Sequence, residues 1–177
     1  MKWYWWLLPG SVITGILIYR QRVVSNLKNM KLSENFSLSE FVVTATGLDN
    51  IPGDAEVKRL QLLVTNILQP LRKYLNRPVH INSGYRSPLV NKAIGGSSTS
   101  QHMKGEAADI RIDGMTNQEI VSAIRTLNLP YDQLIDEQLH GSKWVHVSYS
   151  STGGRKQWLT ARDGEGGKTV YETVKFG

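Results

Sequence analysis

Four histidines and no cysteine define the chemistry open to this 177-residue chain. Without thiols it forms no disulfide, iron–sulfur cluster or thiolate zinc site and has no thiol nucleophile, so any metal falls to imidazole and carboxylate. His102 lies in Ser100-Gln101-His102-Met103-Lys104-Gly105-Glu106-Ala107-Ala108-Asp109, directly after the loop Gly95-Gly96-Ser97-Ser98-Thr99. His146 lies in the alternating run Trp144-Val145-His146-Val147-Ser148, which puts Trp144, His146 and Ser148 on one face of a strand. Two imidazoles and the carboxylate of Asp109 make three ligands for Zn2+ and leave a fourth tetrahedral position for water, as in hydrolytic sites. Imidazole nitrogen suits zinc better than calcium or magnesium, which prefer oxygen shells. The competing reading is a solvated loop histidine, a surface carboxylate and a packing histidine. His80, between Val79 and Ile81, reads as a packing or hydrogen-bonding strand residue. His140, before Gly141, reads as an exposed loop residue that could act as a second acid/base or cover the site.

The elements that must position these groups follow from the pattern. Ser37-Leu38-Ser39-Glu40 fits a capping box and predicts a helix through about Thr46, with Phe36 as the staple residue before it. From Asp54 to Leu75, Val57, Leu60, Val64, Ile67, Leu71 and Leu75 recur at three- and four-residue spacing and predict one long helix kinked at Pro70. A strand from Pro78 to Asn82, a turn at residues 84–87 and a short helix from Pro88 to Ile94 come next. The strand from Ala107 to Ile112 turns Ala108, Ile110 and Ile112 to one face and Asp109 to the other. A second capping box, Thr116-Asn117-Gln118-Glu119, opens a helix to about Leu127, and strands follow at Gln133 to Glu137, Lys143 to Ser148 and Lys156 to Ala161. This order predicts an α+β domain: a small, mostly antiparallel sheet with helices on one side.

The formal net charge of +6 is unevenly spread. Residues 1–29 hold Lys2, Arg20, Arg22 and Lys28 and no acid, so the body from Met30 is close to neutral and carries no nucleic-acid footprint. Residues 3–19 are uncharged and open with Trp3-Tyr4-Trp5-Trp6, the composition of a short membrane-contacting segment. The division is an apolar segment at 1–29, either an anchor or an upstream extension with Met30 as the working start, followed by one domain at 30–177.

Within that domain, Ser100, His102, Gly105, Ala107 and Asp109 fit S-x-H-x-x-G-x-A-x-D, and Ser83-Gly84-Tyr85-Arg86-Ser87-Pro88 with Asn91 fits S-G-Y-R-S-P-x-x-N. With Asp132-Gln133-Leu134-Ile135-Asp136-Glu137, the strand around His146 and the opening Leu32-Ser33-Glu34-Asn35-Phe36, the chain resembles the zinc D-alanyl-D-alanine carboxypeptidases and phage endolysins of peptidase family M15, over about Met30 to Ala161. The resemblance implies a hedgehog/DD-peptidase fold, zinc held by His102, Asp109 and His146, and hydrolysis of peptidoglycan stem peptides or crosslinks by a monomeric enzyme of the bacterial envelope or of phage lysis. It implies that Arg86 meets the substrate carboxylate or the developing oxyanion and that Ser100 contacts substrate or orients the ligand loop. Many relatives carry Glu three residues before the last histidine ligand, where this chain has Lys143, so the general base moves to the preceding strand. Glu137, which ends the Q-L-I-x-E element, is favoured over Asp136. The rival reading is a non-catalytic zinc-containing module on the same fold that binds cell wall or a protein.

Overall fold

The computed structural model describes Ser25 and residues 29–174. The apolar run at residues 3–19 lies outside them, and among the described residues no helix is long and apolar enough to cross a membrane. The first helix, α1 (Leu38–Phe41), is shorter than its pattern predicts. Its capping box forms, with Glu40 Oε1 accepting the Ser37 N–H at 2.7 Å, and Phe36 packs on Phe41 as the staple, ring centroids 6.2 Å apart. The helix stops because the β-branched pair Val42-Val43 follows and the backbone around Phe41 is engaged elsewhere: its carbonyl accepts the Tyr85 N–H at 2.7 Å.

The long helix forms as α2 (Asp54–Leu63), a π turn (Val64–Leu68) and α3 (Gln69–Leu75). Where a kink at Pro70 is expected, the structure instead has a π turn ending at Leu68, in which the Gln69 N–H reaches back to Val64 O, and Pro70 sits in the first turn of the regular helix that follows. Proline has no N–H to continue the regular ladder, and the wider turn before it absorbs the loss. Strand β1 (His80–Ser83) starts later than Pro78, as a proline start without a ladder donor allows. Helix α4 (Pro88–Ala93), a 3-10 turn (Gln101–Lys104), β2 (Ala107–Arg111) and α5 (Asn117–Thr126) then follow.

Strands β3 (Gln133–Leu139), β4 (Ser142–Ser148), β5 (Gln157–Asp163) and β6 (Thr169–Thr173) complete a six-stranded sheet in the order β1-β2-β4-β3-β5-β6. All its pairings are antiparallel except β3 with β5, which is parallel. The fold is therefore α+β with a mostly antiparallel sheet. Strand β6 is not among the expected strands: its Thr169-Val170-Tyr171 run is β-branched and aromatic, but its residues lie at an exposed edge, where burial does not impose alternation.

Pleating sorts the sheet into two faces. Ala108, Ile110, Leu134, Val145 and Val147 join Leu60, Leu63, Ile67 and Leu71 of the long helical segment and Ile120 and Ile124 of α5 in one buried core. The opposite face carries Asp109, His146, Ile135, Glu137 and Leu159, and there Ile135, Leu159 and Ala161 form a smaller apolar cluster.

Candidate metal centre

His102, Asp109 and His146 converge on one point although their carriers differ. His102 sits on the 3-10 turn, and Asp109 and His146 are direct register partners on β2 and β4. One ligand atom from each lies within 4.8 Å of the others, and all three residues are buried. His146 Nδ1 is 3.0 Å from Asp109 Oδ1, and His102 Nε2 is 3.2 Å from both that oxygen and His146 Nδ1. The His102 tautomer is fixed from outside: Nδ1 lies 2.6 Å from the carbonyl of Gly84, which can only accept, so Nδ1 donates and Nε2 presents its lone pair inward. Two imidazole nitrogens and a carboxylate oxygen facing one another need a shared cation or extra protons. Tetrahedral Zn2+ with ligands at about 2.1 Å spaces its donors about 3.4 Å apart, so this donor set and spacing fit zinc.

Two glycines bring the pieces together. A side chain on Gly84 would meet the backbone of Phe41 at 2.7 Å, and one on Gly105, which has φ +72°, would meet the Glu56 carbonyl at 2.5 Å. The turn that receives His102 and the turn that delivers β2 thus both depend on close backbone approach. Buried Asn50 holds the first of them, donating to Val42 O and Tyr85 O while accepting the Ser87 N–H. Nothing in the loop composition around Asn50 marks it for that task. Asn91 pins the next loop, donating to Ser97 O at 2.9 Å.

Arg86 donates from Nη2 to Asp109 Oδ2 at 2.5 Å and from Nε to Ser83 Oγ at 2.8 Å. The sequence-level expectation of a substrate-facing arginine is thus joined by an ion pair to a candidate ligand. Burial alone would raise the Asp109 carboxyl, but the adjoining His102 and His146 outweigh it and hold the group far below the usual carboxylate range.

The four groups line a cleft of about 570 Å³ that also includes Ser100, Gln101 and Glu137. Glu137 is 9 % exposed. Burial and then the charge of Asp109 push its carboxyl up to about 7, against the opposing pull of His146, Arg86 and the Trp144 indole. Trp144 is its register partner on β4, and the buried indole Nε1 makes no hydrogen bond of good geometry. Asp136 points the other way, accepting from Asn117 Nδ2 at 2.6 Å and Arg162 Nη2 at 2.8 Å, and lines a separate pocket against α5. The alternation Ile135-Asp136-Glu137 leaves open from sequence which acid meets the cleft; the sheet puts Glu137 there.

His80 bonds Asp113 at 3.1 Å, as a hydrogen-bonding strand residue would. His140 is exposed at the β3–β4 turn, pairs with Asp163 and does not line the cleft. Sequence reasoning did not single out Gln101, Arg155, Leu159 and Tyr171, which also line it. Their only signals were Gln101's place beside His102 and the period-two alternation around Leu159.

A family model described as Peptidase M15 matches residues 34–148, which contain the three metal-ligand candidates, Arg86 and Glu137. Over 58 residues the chain is 41% identical to the zinc D-Ala-D-Ala carboxypeptidase of Streptomyces albus G, a match covering 32% of this chain and 23% of that protein. This chain therefore spans about a quarter of that relative's length. With the motifs, the fold and the convergent His–Asp–His group in register, the chain belongs to the peptidase M15 family.

Proposed function

We propose that the body from Met30 onward is a zinc-dependent peptidase domain that hydrolyses peptidoglycan stem peptides or crosslinks. The observation that carries this reading is the convergence of His102 Nε2, His146 Nδ1 and Asp109 Oδ1 at 3.0 to 3.2 Å beside buried Glu137 in an open cleft. The similarity to a zinc D-Ala-D-Ala carboxypeptidase supports the choice of metal and of substrate class. His102, Asp109 and His146 would hold zinc, which when bound supplies an acidified water and Lewis-acid polarisation of the scissile carbonyl. Glu137 accepts a proton from the attacking water and returns it to the leaving amine, a role that its buried position in the same cleft as the three ligand candidates allows. Arg86 commits Nε and Nη2 to Ser83 and Asp109, and its Nη1 meets the substrate carboxylate or the developing oxyanion. Ser100, at the mouth of the ligand turn, contacts substrate.

Lys143, at the position where many relatives carry Glu, lies one residue out of phase with His146's face, and Glu137 takes the carboxylate role from the neighbouring strand. The site of action is the cell envelope or phage lysis. The direct test is digestion of purified peptidoglycan by the zinc-loaded full chain, with and without a chelator, read by product mass. Release of stem-peptide fragments that the chelator abolishes supports the assignment, and no release by zinc-loaded protein refutes it in favour of a binding module.

A further inference from the structure

The cleft is built from two parts of the chain. Its metal-centre side lies within the segment that matches the family, residues 34–148. Arg155, Leu159 and Tyr171, which extend the lining across the sheet, come from beyond that segment. Strand register shows where Tyr171 falls. Trp144 pairs with Glu137, Glu137 with Ala161 and Ala161 with Tyr171, so these four residues form one row across β4, β3, β5 and β6. The adjacent row on the same face runs from Asp109 through His146 and Ile135 to Leu159. With strands about 4.8 Å apart, Tyr171 stands about 10 Å from Glu137 at the backbone, within mutual reach of a bound peptide. Ala161, between them, contributes only a methyl group, and Ile135 and Leu159 give the neighbouring floor an apolar surface.

Tyr171 itself contributes little to the core. It is 56% exposed on an edge strand, and its hydroxyl makes no hydrogen bond among the described residues. We propose that Tyr171 is a substrate-recognition residue of this cleft: its ring and the floor of Ile135 and Leu159 hold a short apolar side chain next to the scissile bond, and its hydroxyl donates to a backbone carbonyl of the bound peptide. Partial burial, then the nearby charges of Glu137 and Asp109, shift the phenol upward, so it remains a neutral donor across the physiological range. The inference rests on the peptidase reading above and adds the residue that selects the substrate.

The test is calorimetric titration of the full zinc-loaded chain, as wild type, Tyr171→Phe and Tyr171→Ala, with an acyl-D-Ala-D-Ala peptide whose scissile amide is reduced to an uncleavable methylene-amine. Losing one hydrogen bond should weaken binding about threefold in Tyr171→Phe, and losing the ring as well should weaken it at least tenfold in Tyr171→Ala. Zinc stoichiometry should be unchanged, and on the cleavable peptide KM should rise with kcat within about twofold. Unaltered peptide binding in both variants overturns the role of Tyr171 and leaves the peptidase reading standing. Loss of zinc or of cooperative unfolding in Tyr171→Phe would make the residue structural and also overturns it. A wild-type chain that does not bind the peptide overturns the role of Tyr171 stated here, while the peptidase reading stands or falls separately on the peptidoglycan digest.

Discussion

Asp109 and Arg86 meet at 2.5 Å through the carboxylate oxygen that the two histidines do not use. Oδ1 faces His102 and His146, and Oδ2 is anchored by the guanidinium, so Arg86 fixes the orientation in which Asp109 can serve as a ligand. Arg86→Ala should therefore lower zinc affinity about tenfold to a hundredfold, measured by competition with a chelating dye. Arg86→Lys should recover only part of it, because a point charge cannot bridge Ser83 and Asp109 as the planar fork does. Wild-type zinc affinity in Arg86→Ala would leave the arginine with a purely substrate-facing role.

Metal retention and proton transfer should separate cleanly. His102→Ala removes a candidate ligand whose tautomer the Gly84 carbonyl sets, and is expected to lose both zinc and hydrolysis. Glu137→Gln keeps the three ligands and should bind zinc stoichiometrically while turnover falls about a hundredfold to ten-thousandfold. Metal analysis alongside kinetics on a defined muropeptide checks both. Full activity in Glu137→Gln would move the base elsewhere, but not to Asp136, whose carboxylate is taken up on the far face of the sheet.

The raised Glu137 carboxyl makes the metal-free fold pH-sensitive. Its folded value, about 7, lies above the ordinary 4.5, so between those values the folded chain binds more protons than the unfolded one and stability falls as pH rises. Glu137→Gln removes this loss. In urea titrations of chelator-stripped protein, the variant should match wild type near pH 4 and exceed it by a few kcal/mol, about 3 at most, at pH 8. A difference that does not change with pH would mean that Glu137 titrates normally.

The convergence of His102, Asp109 and His146 was legible in the sequence because its parts obey local rules. Asp109 and His146 sit at polar positions of alternating strands, and the motif glycines mark close backbone approaches that only glycine allows at Gly84 and Gly105. Long-range register was not legible. Whether Glu137 or Asp136 faces the cleft depends on which face of β3 packs on α5, and Tyr171 reaches the site only because β5 joins β3 in parallel and β6 follows it. Similarly, the ends of α1 and of β1 depend on contacts with Phe41 and on a proline start, neither of which periodicity contains.

Asp132 ties Arg155, which lines the cleft from beyond residue 148, back to the turn that carries His102. The carboxylate is 4% exposed, receives Arg155 through Nε, Nη2 and the backbone N–H, and accepts from Gln101 Nε2 at 2.9 Å, one residue before His102. These bonds, those from Arg155 first, hold its carboxyl below the ordinary range. A lowered folded value means stability that is present above the unfolded pKa of about 4 and is lost as pH falls through the folded one. Asp132→Asn should cost about 2 kcal/mol at pH 7, a figure held down by the half-exposed arginine, and the cost should shrink as pH drops below about 4. Because the same carboxylate holds Gln101, the variant should also bind zinc more weakly than wild type. Urea unfolding across pH together with zinc competition tests both, and a destabilised variant with unchanged zinc affinity would limit Asp132 to holding the β4–β5 connection.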